Sequence, residues 1–245
     1  LLMKRGHEIS LIATAKAAPE YTRTEEDFKV LADRLRVPFV HTARIAEASE
    51  MIHALPPVDI GVSVNYPGVI PSEVIDLFPL GILNAHGGDL PRYRGNACQA
   101  WAIINGEERV GLCVHKMVGG ELDSGDIIAR DYRPLTAEST ITEVYGWMAS
   151  RTPDLFAQAL DLLAVDPSYV LERQSKNPAF ALRCYPRVPE DGYIDWNRSA
   201  VEILRLINAS TKPYAGAFTW HKGEMVRIWS ARMGALPCPS CFVPG

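Results

Sequence analysis

Up to about residue 165, short apolar runs alternate with longer amphipathic segments. Residues 58–64 form a nearly continuous apolar run, typical of a strand buried on both faces of a parallel sheet. Residues 25–36 place apolar side chains at helical spacing. The predicted strands are residues 8–14, 38–41, 58–64, 81–85, 110–117 and 127–132, and the predicted helices are residues 25–36, 44–54, 71–78 and 140–163. This alternation predicts an α/β fold with a doubly wound, mostly parallel sheet.

A smaller unit of different character follows the alternating region. It contains a predicted helix at residues 199–209 and two short strands joined by His221-Lys222-Gly223, which is a hairpin signal. The stretch before it is irregular and polar, as linkers are. The predicted units are therefore a catalytic domain (residues 1–171), a linker (residues 172–188) and a C-terminal α+β subdomain (residues 189–245).

Composition limits the choice of partners and compartment. The 245 residues carry a net charge of −4, so no overall positive field draws the protein to nucleic acid. No apolar run approaches the roughly 20 residues that span a bilayer, so no membrane insertion is expected.

An odd number of cysteines without framework spacing favours a reducing, cytoplasmic compartment. The cysteines are Cys98, Cys113, Cys184, Cys238 and Cys241. The CxxC formed by the last two has no second ligand pair, so no metal site is predicted.

Candidate chemistry lies at the end of the predicted strand 81–85. Asn84 and His86 are two residues apart, so their side chains leave the same side of the chain. Asp123 follows the strand 110–117 in a turn and could meet the imidazole. Together these residues can supply a hydrogen-bond donor for developing negative charge, a base and a carboxylate that supports the base. His115, on the strand 110–117, is interpreted as a core histidine.

Five segments in order carry a family resemblance. They are Asn84-Ala85-His86, Leu90-Pro91-Arg92-Tyr93-Arg94-Gly95, residues 101–107, Gly111 to Met117 with His115, and Leu122-Asp123-Ser124-Gly125-Asp126. The series resembles the 10-formyltetrahydrofolate-dependent formyltransferases, which include methionyl-tRNA, glycinamide ribonucleotide and sugar N-formyltransferases. The resemblance implies a Rossmann-like catalytic domain, 10-formyltetrahydrofolate as co-substrate, and catalysis by Asn84, His86 and Asp123. It also implies that a first strand precedes Leu1 and that an OB-like C-terminal subdomain is incomplete.

The resemblance also assigns ligand contacts. Those expected for folate are Tyr66, Gly68, Val69, Ile70, Leu83, Gly120 and Leu122. Those expected for the acceptor are Asp89, Arg92, Tyr93, Arg94, Gln99 and Arg187. Alternatives stay open, since the arginines fit either an anion site or a solvated loop, and Asp89 is either an acceptor contact or a turn residue.

The acceptor is the less determined half of the reaction. Residues 187–196 and 213–218 look most like the sugar-nucleotide N-formyltransferases that modify 4-amino-4-deoxysugars for surface polysaccharide. Methionyl-tRNA formyltransferases carry a basic loop to grip tRNA, whereas residues 13–27 here are net acidic. A sugar-nucleotide acceptor is therefore predicted, with no nucleic acid and a possible homodimer. The alternatives are methionyl-tRNA formyltransferase, formyltetrahydrofolate hydrolase, and a non-catalytic folate or sugar-nucleotide binding module.

Overall fold

A computed structural model describes residues 1–17 and 23–234 and has a mixed α/β architecture. Its strands are β1 (Ile12–Thr14), β2 (Phe39–His41), β3 (Gly61–Ser63), β4 (Ile82–His86), β5 (Tyr93–Gly95), β6 (Arg109–Lys116), β7 (Ile127–Pro134), β8 (Leu182–Cys184), β9 (Ala217–His221) and β10 (Glu224–Ile228). Its α-helices are α1 (Glu25–Leu35), α2 (Ser49–His53), α3 (Ser72–Ile75), α4 (Cys98–Ile104), α5 (Ile141–Val165) and α6 (Ala200–Ala209). Short 3₁₀ turns join them.

The central sheet has the strand order β3-β4-β6-β7. β3 and β4 are parallel, as are β1 and β2 in a separate pair, which agrees with the predicted α/β class. β6 pairs antiparallel with both β4 and β7. β6 and β7 are antiparallel because the loop 117–126 joins them without a crossover helix. The sheet is therefore parallel at β3–β4 and antiparallel from β4 to β7.

Strand β4 separates two apolar layers. Leu83 is fully buried with side chains of β6, β7 and α5, whereas Ile82 packs with residues of β2, α2 and α3. Alternation along the strand puts Asn84 and His86 on the same face as Ile82. The helix α5 begins with a capping box of Thr140 and Glu143 and runs without a break through Pro153.

One prediction about the segments around this core was wrong. The run 58–64 was expected to be buried on both faces, yet Val62 and Val64 are 43% and 50% exposed. The reason is that β3 is an edge strand of the four-stranded sheet. The stretch 172–188, expected to be a linker, includes β8, which pairs in parallel with β5, while most of its residues are exposed. Its role as a linker stays a prediction.

The C-terminal segment contains the predicted helix and hairpin. Ser199 and Glu202 form a capping box at the start of α6. The turn between β9 and β10 has positive φ at both Lys222 and Gly223, the geometry of a type I′ hairpin. Within residues 189–234, this hairpin and a bridge between Tyr193 and Phe218 are the β-structure, so the described part is not a closed barrel. The CxxC motif lies outside the described residues.

Candidate active site

Strand β4 ends at a buried cluster that contains all three predicted catalytic residues. Asn84 and His86 lie on one face of the strand, and Asp123 reaches them from the turn after β6. His86 Nδ1 is 3.4 Å from Asp123 Oδ2. The side chains of His86 and Asp123 are 8% and 11% exposed, so their electrostatic interaction is weakly screened by solvent. An amide, an imidazole and a carboxylate are thus brought together at one edge of the sheet.

The orientation of the His86 ring is set by the main chain of β5. His86 Nε2 lies 2.7 Å from the Tyr93 carbonyl oxygen, and because a carbonyl only accepts, Nε2 must carry the hydrogen. In the neutral ring the Nδ1 lone pair then faces Asp123. Burial lowers the pKa of His86 below its ordinary value, and it outweighs the opposing effects of Asp123 and the Tyr93 carbonyl. The ring is therefore neutral near pH 7, with a free basic nitrogen beside a carboxylate.

Asp123 is held in its ionised form. Burial raises its pKa and is the largest single influence, but the neighbouring His115 and His86 and the Gly95 N–H together lower the pKa to about 2. The Gly95 N–H donates to Asp123 Oδ2 at 3.0 Å. The backbone φ of Asp123 is 47°, in the left-handed region that aspartate tolerates better than most residues. This conformation aims the carboxylate back over the sheet.

His115 belongs to the same cluster, which the sequence interpretation as a core residue did not anticipate. It is 2% exposed, and its Nδ1 donates to the Lys116 carbonyl at 2.9 Å. The β4–β6 register places it opposite Asn84, with 3.4 Å between His115 Nε2 and Asn84 Nδ2. The same Nε2 is 3.5 Å from Asp123 Oδ1. His115 is thus both buried and in contact with two of the three predicted catalytic residues.

The turn that carries Asp123 is held by Gln174, a residue that sequence reasoning missed. Gln174 is buried, and its amide donates to the Asp123 and Gly125 carbonyls at 2.9 and 2.6 Å. Gly125 also approaches β6 closely, because a Cβ at this position would lie 1.9 Å from the Lys116 carbonyl oxygen. The irregular segment that contains Gln174 has no periodic pattern, so its sequence gave no signal of this contact.

The two loops expected to bind folate are neighbours. A Cβ on Gly119 would lie 2.0 Å from Ser72 Oγ, so the loop before Asp123 packs against the start of α3. The side chains of Val69 and Leu122 are 80% and 40% exposed, which leaves apolar surface on both loops. Gly120 has a positive φ of 74°.

Other residues of the expected folate set are used by the fold. Tyr66 donates its hydroxyl to the Thr42 carbonyl at 2.6 Å, Ile70 packs on the core, and Gly68 lies against the Ala43 carbonyl. Leu83 is a correction: its side chain is fully buried and faces α5, on the opposite face of β4 from Asn84. Leu83 is therefore a core residue.

Only part of the expected acceptor set faces the cluster. Arg94 donates to Gln174 Oε1 at 3.0 Å, and its charge contributes to lowering the pKa of His86. Arg92 is 2.7 Å from Glu107 in an exposed ion pair. The Tyr93 side chain is buried, and its hydroxyl donates to Glu107.

The remaining acceptor candidates have protein partners elsewhere. Asp89 accepts from Arg109 at 3.2 Å and from Tyr132 at 3.0 Å, which anchors its loop to β6 and β7. Gln99 packs against Gly87 and donates to Met148 Sδ. The guanidinium of Arg187 donates to three groups of the C-terminal segment, the carbonyls of Ala209 and Asp191 and the Ser210 hydroxyl. Asp89 and Arg187 thus each bind protein groups in this arrangement, and their contact with an acceptor stays a prediction.

Two cavities lie away from the triad of Asn84, His86 and Asp123. One of about 740 Å³ is lined by Arg5 and by residues 151–169 around the C-terminal half of α5. The other, of about 490 Å³, is lined by aromatic residues and Lys212 beside α5.

Among the described residues, no cluster of three or more His, Cys, Asp or Glu side chains could hold a metal ion. None of the helices in this part of the chain has the length and apolar character of a membrane span.

Comparison with known proteins gives the same fold over most of the chain. The chain is 31% identical over 237 residues to a methionyl-tRNA formyltransferase of Alkaliphilus oremlandii, covering 94% of this chain and 74% of that protein. A structure described as a likely sugar N-formyltransferase from Mycobacterium tuberculosis matches with a TM-score of 0.65 at 19% identity, covering 94% of this chain and 100% of that one. The sugar 3N-formyltransferase WlaRD, solved with dTDP and 5-N-formyl-tetrahydrofolate, matches with a TM-score of 0.61 at 18% identity, covering 83% of this chain and 80% of that one.

A longer protein contains the same fold. HypX from Aquifex aeolicus matches with a TM-score of 0.63 at 20% identity, where 90% of this chain covers 39% of that one. The formyl transferase family model matches residues 4–160, and the model of the formyl transferase C-terminal domain matches residues 187–236. The first of these spans the triad and more than half of the chain. The chain therefore belongs to the formyltransferase family.

Proposed function

We propose that this protein transfers the formyl group of 10-formyltetrahydrofolate to the primary amine of a nucleotide-linked amino sugar. The observation that carries the transfer chemistry is the convergence of the triad, with 3.4 Å between His86 Nδ1 and Asp123 Oδ2, inside the region matched by the family. Folate as donor is supported by the packing of the two expected loops against each other and by the folate bound to WlaRD.

The reaction needs one proton to move from the amine to the leaving nitrogen. The amine nitrogen bonds to the formyl carbon, and Asn84 Nδ2 donates a hydrogen bond to the oxyanion that develops. The Nδ1 lone pair of His86 accepts the proton that the amine loses, directly or through a water. That proton then goes to N10 as its bond to the formyl carbon breaks, which leaves a formamide and tetrahydrofolate.

Asp123 supports this step through the charge on His86. The carboxylate raises the pKa of the ring and therefore stabilises the imidazolium that forms during transfer. The 3.4 Å separation of Nδ1 and Oδ2 is long for a charge-assisted hydrogen bond and fits a neutral ring before proton transfer. Protonation of Nδ1 supplies the missing donor and draws the two groups together.

A sugar-nucleotide acceptor is favoured by the charge of the loop at residues 13–27. Arg23 in this loop is ion-paired with Asp27 at 3.0 Å, so part of its small positive charge is neutralised. A phosphate backbone is gripped by clustered Lys and Arg, which this loop lacks. Arg94, whose charge acts on His86, is the cation that we propose for contact with a diphosphate. The use of the product in surface polysaccharide stays a prediction.

Methionyl-tRNA formyltransferase is the second candidate. The 31% identity over 237 residues to such an enzyme favours it. The two acceptors differ in how strongly salt should affect turnover. Binding of tRNA neutralises several phosphates, so it weakens steeply as the salt concentration rises.

An acceptor screen tests the proposal. Tetrahydrofolate release from 10-formyltetrahydrofolate is followed with amino-sugar nucleotides, with initiator methionyl-tRNA and with water alone. Formylation of an amino-sugar nucleotide that depends on His86 supports the proposal, and His86→Ala is compared with the exposed control His53→Ala. We expect about a 10²-fold to 10⁴-fold loss for His86→Ala and wild-type rates for the control.

The other outcomes of the screen contradict the proposal. Salt-sensitive turnover with tRNA alone identifies the second candidate. Release of formate without an amine identifies a hydrolase, and folate binding without turnover identifies a binding module. Equal rates for His86→Ala and His53→Ala would exclude the assigned chemistry.

A further inference from the structure

Gln174 lies at the point where the segment after α5 meets the active site. It is 6% exposed, although the residues on either side of it are exposed. The chain reaches this position through a short bridge in which the Ile127 N–H donates to the Glu172 carbonyl at 2.9 Å. This bridge fixes the direction of entry, so the Gln174 side chain points beneath the turn that carries Asp123.

Both polar groups of the Gln174 side chain, the NH2 and the carbonyl oxygen, are hydrogen-bonded. Its Nε2 donates to the Asp123 carbonyl at 2.9 Å and to the Gly125 carbonyl at 2.6 Å. Its Oε1 accepts from Arg94 Nη2 at 3.0 Å. One amide thus pairs two carbonyls of the same turn, and leaving buried carbonyls unpaired is unfavourable enough that the turn would rearrange.

The turn has further supports, since the Lys116 N–H donates to the Asp126 carbonyl at 2.9 Å and the Ser124 hydroxyl donates to Glu121 at 2.5 Å. Asp123 adopts a positive φ of 47°, which persists only when surrounding contacts hold it. Its carboxylate is fixed from the other side by the Gly95 N–H at 3.0 Å. The backbone of Asp123 is therefore held by Gln174 and its side chain by β5, and both are needed to aim the carboxylate at His86.

We propose that Gln174 is a positioning residue that holds Asp123 against His86 and joins this turn to Arg94. The inference rests on the proposed function for its kinetic consequences but not for its structural ones. Gln174 contacts neither reacting group. It acts through Asp123, and its contact with Arg94 links the loop expected to face the acceptor with the carboxylate that supports the base.

The ionisation of His86 reports on the position of Asp123. The charged or titratable groups that act on the ring are Asp123, His115 and Arg94, with the Cys98 thiol 3.7 Å from Nε2. A hydrogen bond with Cys184, together with burial, raises the pKa of Cys98, so the thiol stays neutral. Asp123 is the group that raises the pKa of His86 by its charge, and moving it away must lower that pKa.

The test measures this pKa in the free protein by NMR titration of the His86 imidazole. Gln174→Met keeps the side-chain length but removes every hydrogen bond, and Gln174→Leu removes the same hydrogen bonds in a shorter, equally uncharged side chain. Asp123→Asn defines the result for a lost charge, and the exposed neighbour Arg173→Ala is the matched control. We expect both Gln174 variants to shift the pKa of His86 below the wild-type value, towards that of Asp123→Asn, and Arg173→Ala to leave it unchanged.

Steady-state kinetics of the folded variants distinguish a displaced Asp123 from a loss of protein stability. With folded variants, we expect kcat to fall about 10-fold to 100-fold while the KM for the folate changes by less than about threefold. The acid limb of the kcat profile should also move to lower pH, in step with the lower pKa of His86.

The outcomes distinguish this inference from the proposed function. An unchanged His86 titration in folded Gln174→Met and Gln174→Leu overturns the positioning role, whatever substrate the enzyme uses. If the wild-type protein formylates no amino sugar, the proposed function fails, and the NMR titration still decides the role of Gln174.

Discussion

Gly88 lies two residues after His86, where an added methyl group would collide with the contact that orients the imidazole. A Cβ on Gly88 would lie 2.3 Å from the Tyr93 carbonyl oxygen and 2.6 Å from His86 Nε2, the two atoms joined by the 2.7 Å hydrogen bond. Comfortable contacts of this kind need roughly 3.5 Å, so the ring or β5 must move by about 1 Å. Because a 1 Å misplacement can cost on the order of 10²-fold in rate, Gly88→Ala should lower kcat by about that factor.

The control is a glycine whose added methyl group meets nothing. A Cβ on Gly146, inside α5, would have no atom within 4 Å, so Gly146→Ala should keep wild-type kcat and stabilise the protein by about 0.5–1 kcal/mol. Overpacking at the buried Gly88 should instead cost about 1–3 kcal/mol. Tetrahydrofolate release at saturating substrate and thermal unfolding of both variants measure these effects. If folded Gly88→Ala turns over at the wild-type rate, the hydrogen bond from His86 to the Tyr93 carbonyl does not position the ring.

Three further predictions concern Asp123, Asn84 and Arg187. The pKa of Asp123 is about 2 in the folded protein against an ordinary value of 3.8, so its ionised form contributes stability above pH 4 that is lost as pH falls towards 2. The lowered pKa corresponds to about 2 kcal/mol of stability. Denaturant unfolding of the wild type and of Asp123→Asn should show a difference in stability that shrinks as pH falls from 4 to 2. A difference that stays constant over this range would contradict the prediction. Asn84→Ala removes the expected oxyanion donor and should lower kcat about 10²-fold to 10³-fold in the same turnover assay, whereas a change confined to KM would assign Asn84 to binding. Arg187→Met should destabilise the protein by about 2–4 kcal/mol, because two carbonyls and a hydroxyl lose their donor, and equal melting temperatures would show that water replaces it.

The triad could be predicted from the sequence because each member depends on local geometry. Period-two alternation places Asn84 and His86 on one face of β4 whatever the rest of the fold does. The turn composition around Asp123 marks a loop at the end of the next long strand of the central sheet. The family resemblance then supplied the information that the two segments meet.

The contacts that depend on register or on irregular chain could not be predicted. His115 faces Asn84 because β4 and β6 pair antiparallel in one particular register, and a single strand does not reveal its partner. Gln174 belongs to a segment without periodicity, so its burial follows only from where the fold places it. Arg187 has the chemistry of an anion contact, yet its Nη1 and Nη2 donate to two carbonyls and a hydroxyl that are close only in the folded chain.

Main-chain groups of β5 hold both His86 and Asp123. The Tyr93 carbonyl orients His86, and the Gly95 N–H orients Asp123, whereas the Arg94 side chain between them reaches Gln174. Backbone groups keep these positions whatever side chains surround them, so the geometry proposed for the transfer reaction does not depend on the residues proposed to recognise the acceptor. β5 is in turn paired with β8, from the segment that leads to the C-terminal subdomain. This segment therefore supports the arrangement of His86 and Asp123 through β5, and we expect changes in acceptor preference to arise from side chains such as Arg94 that project from β5.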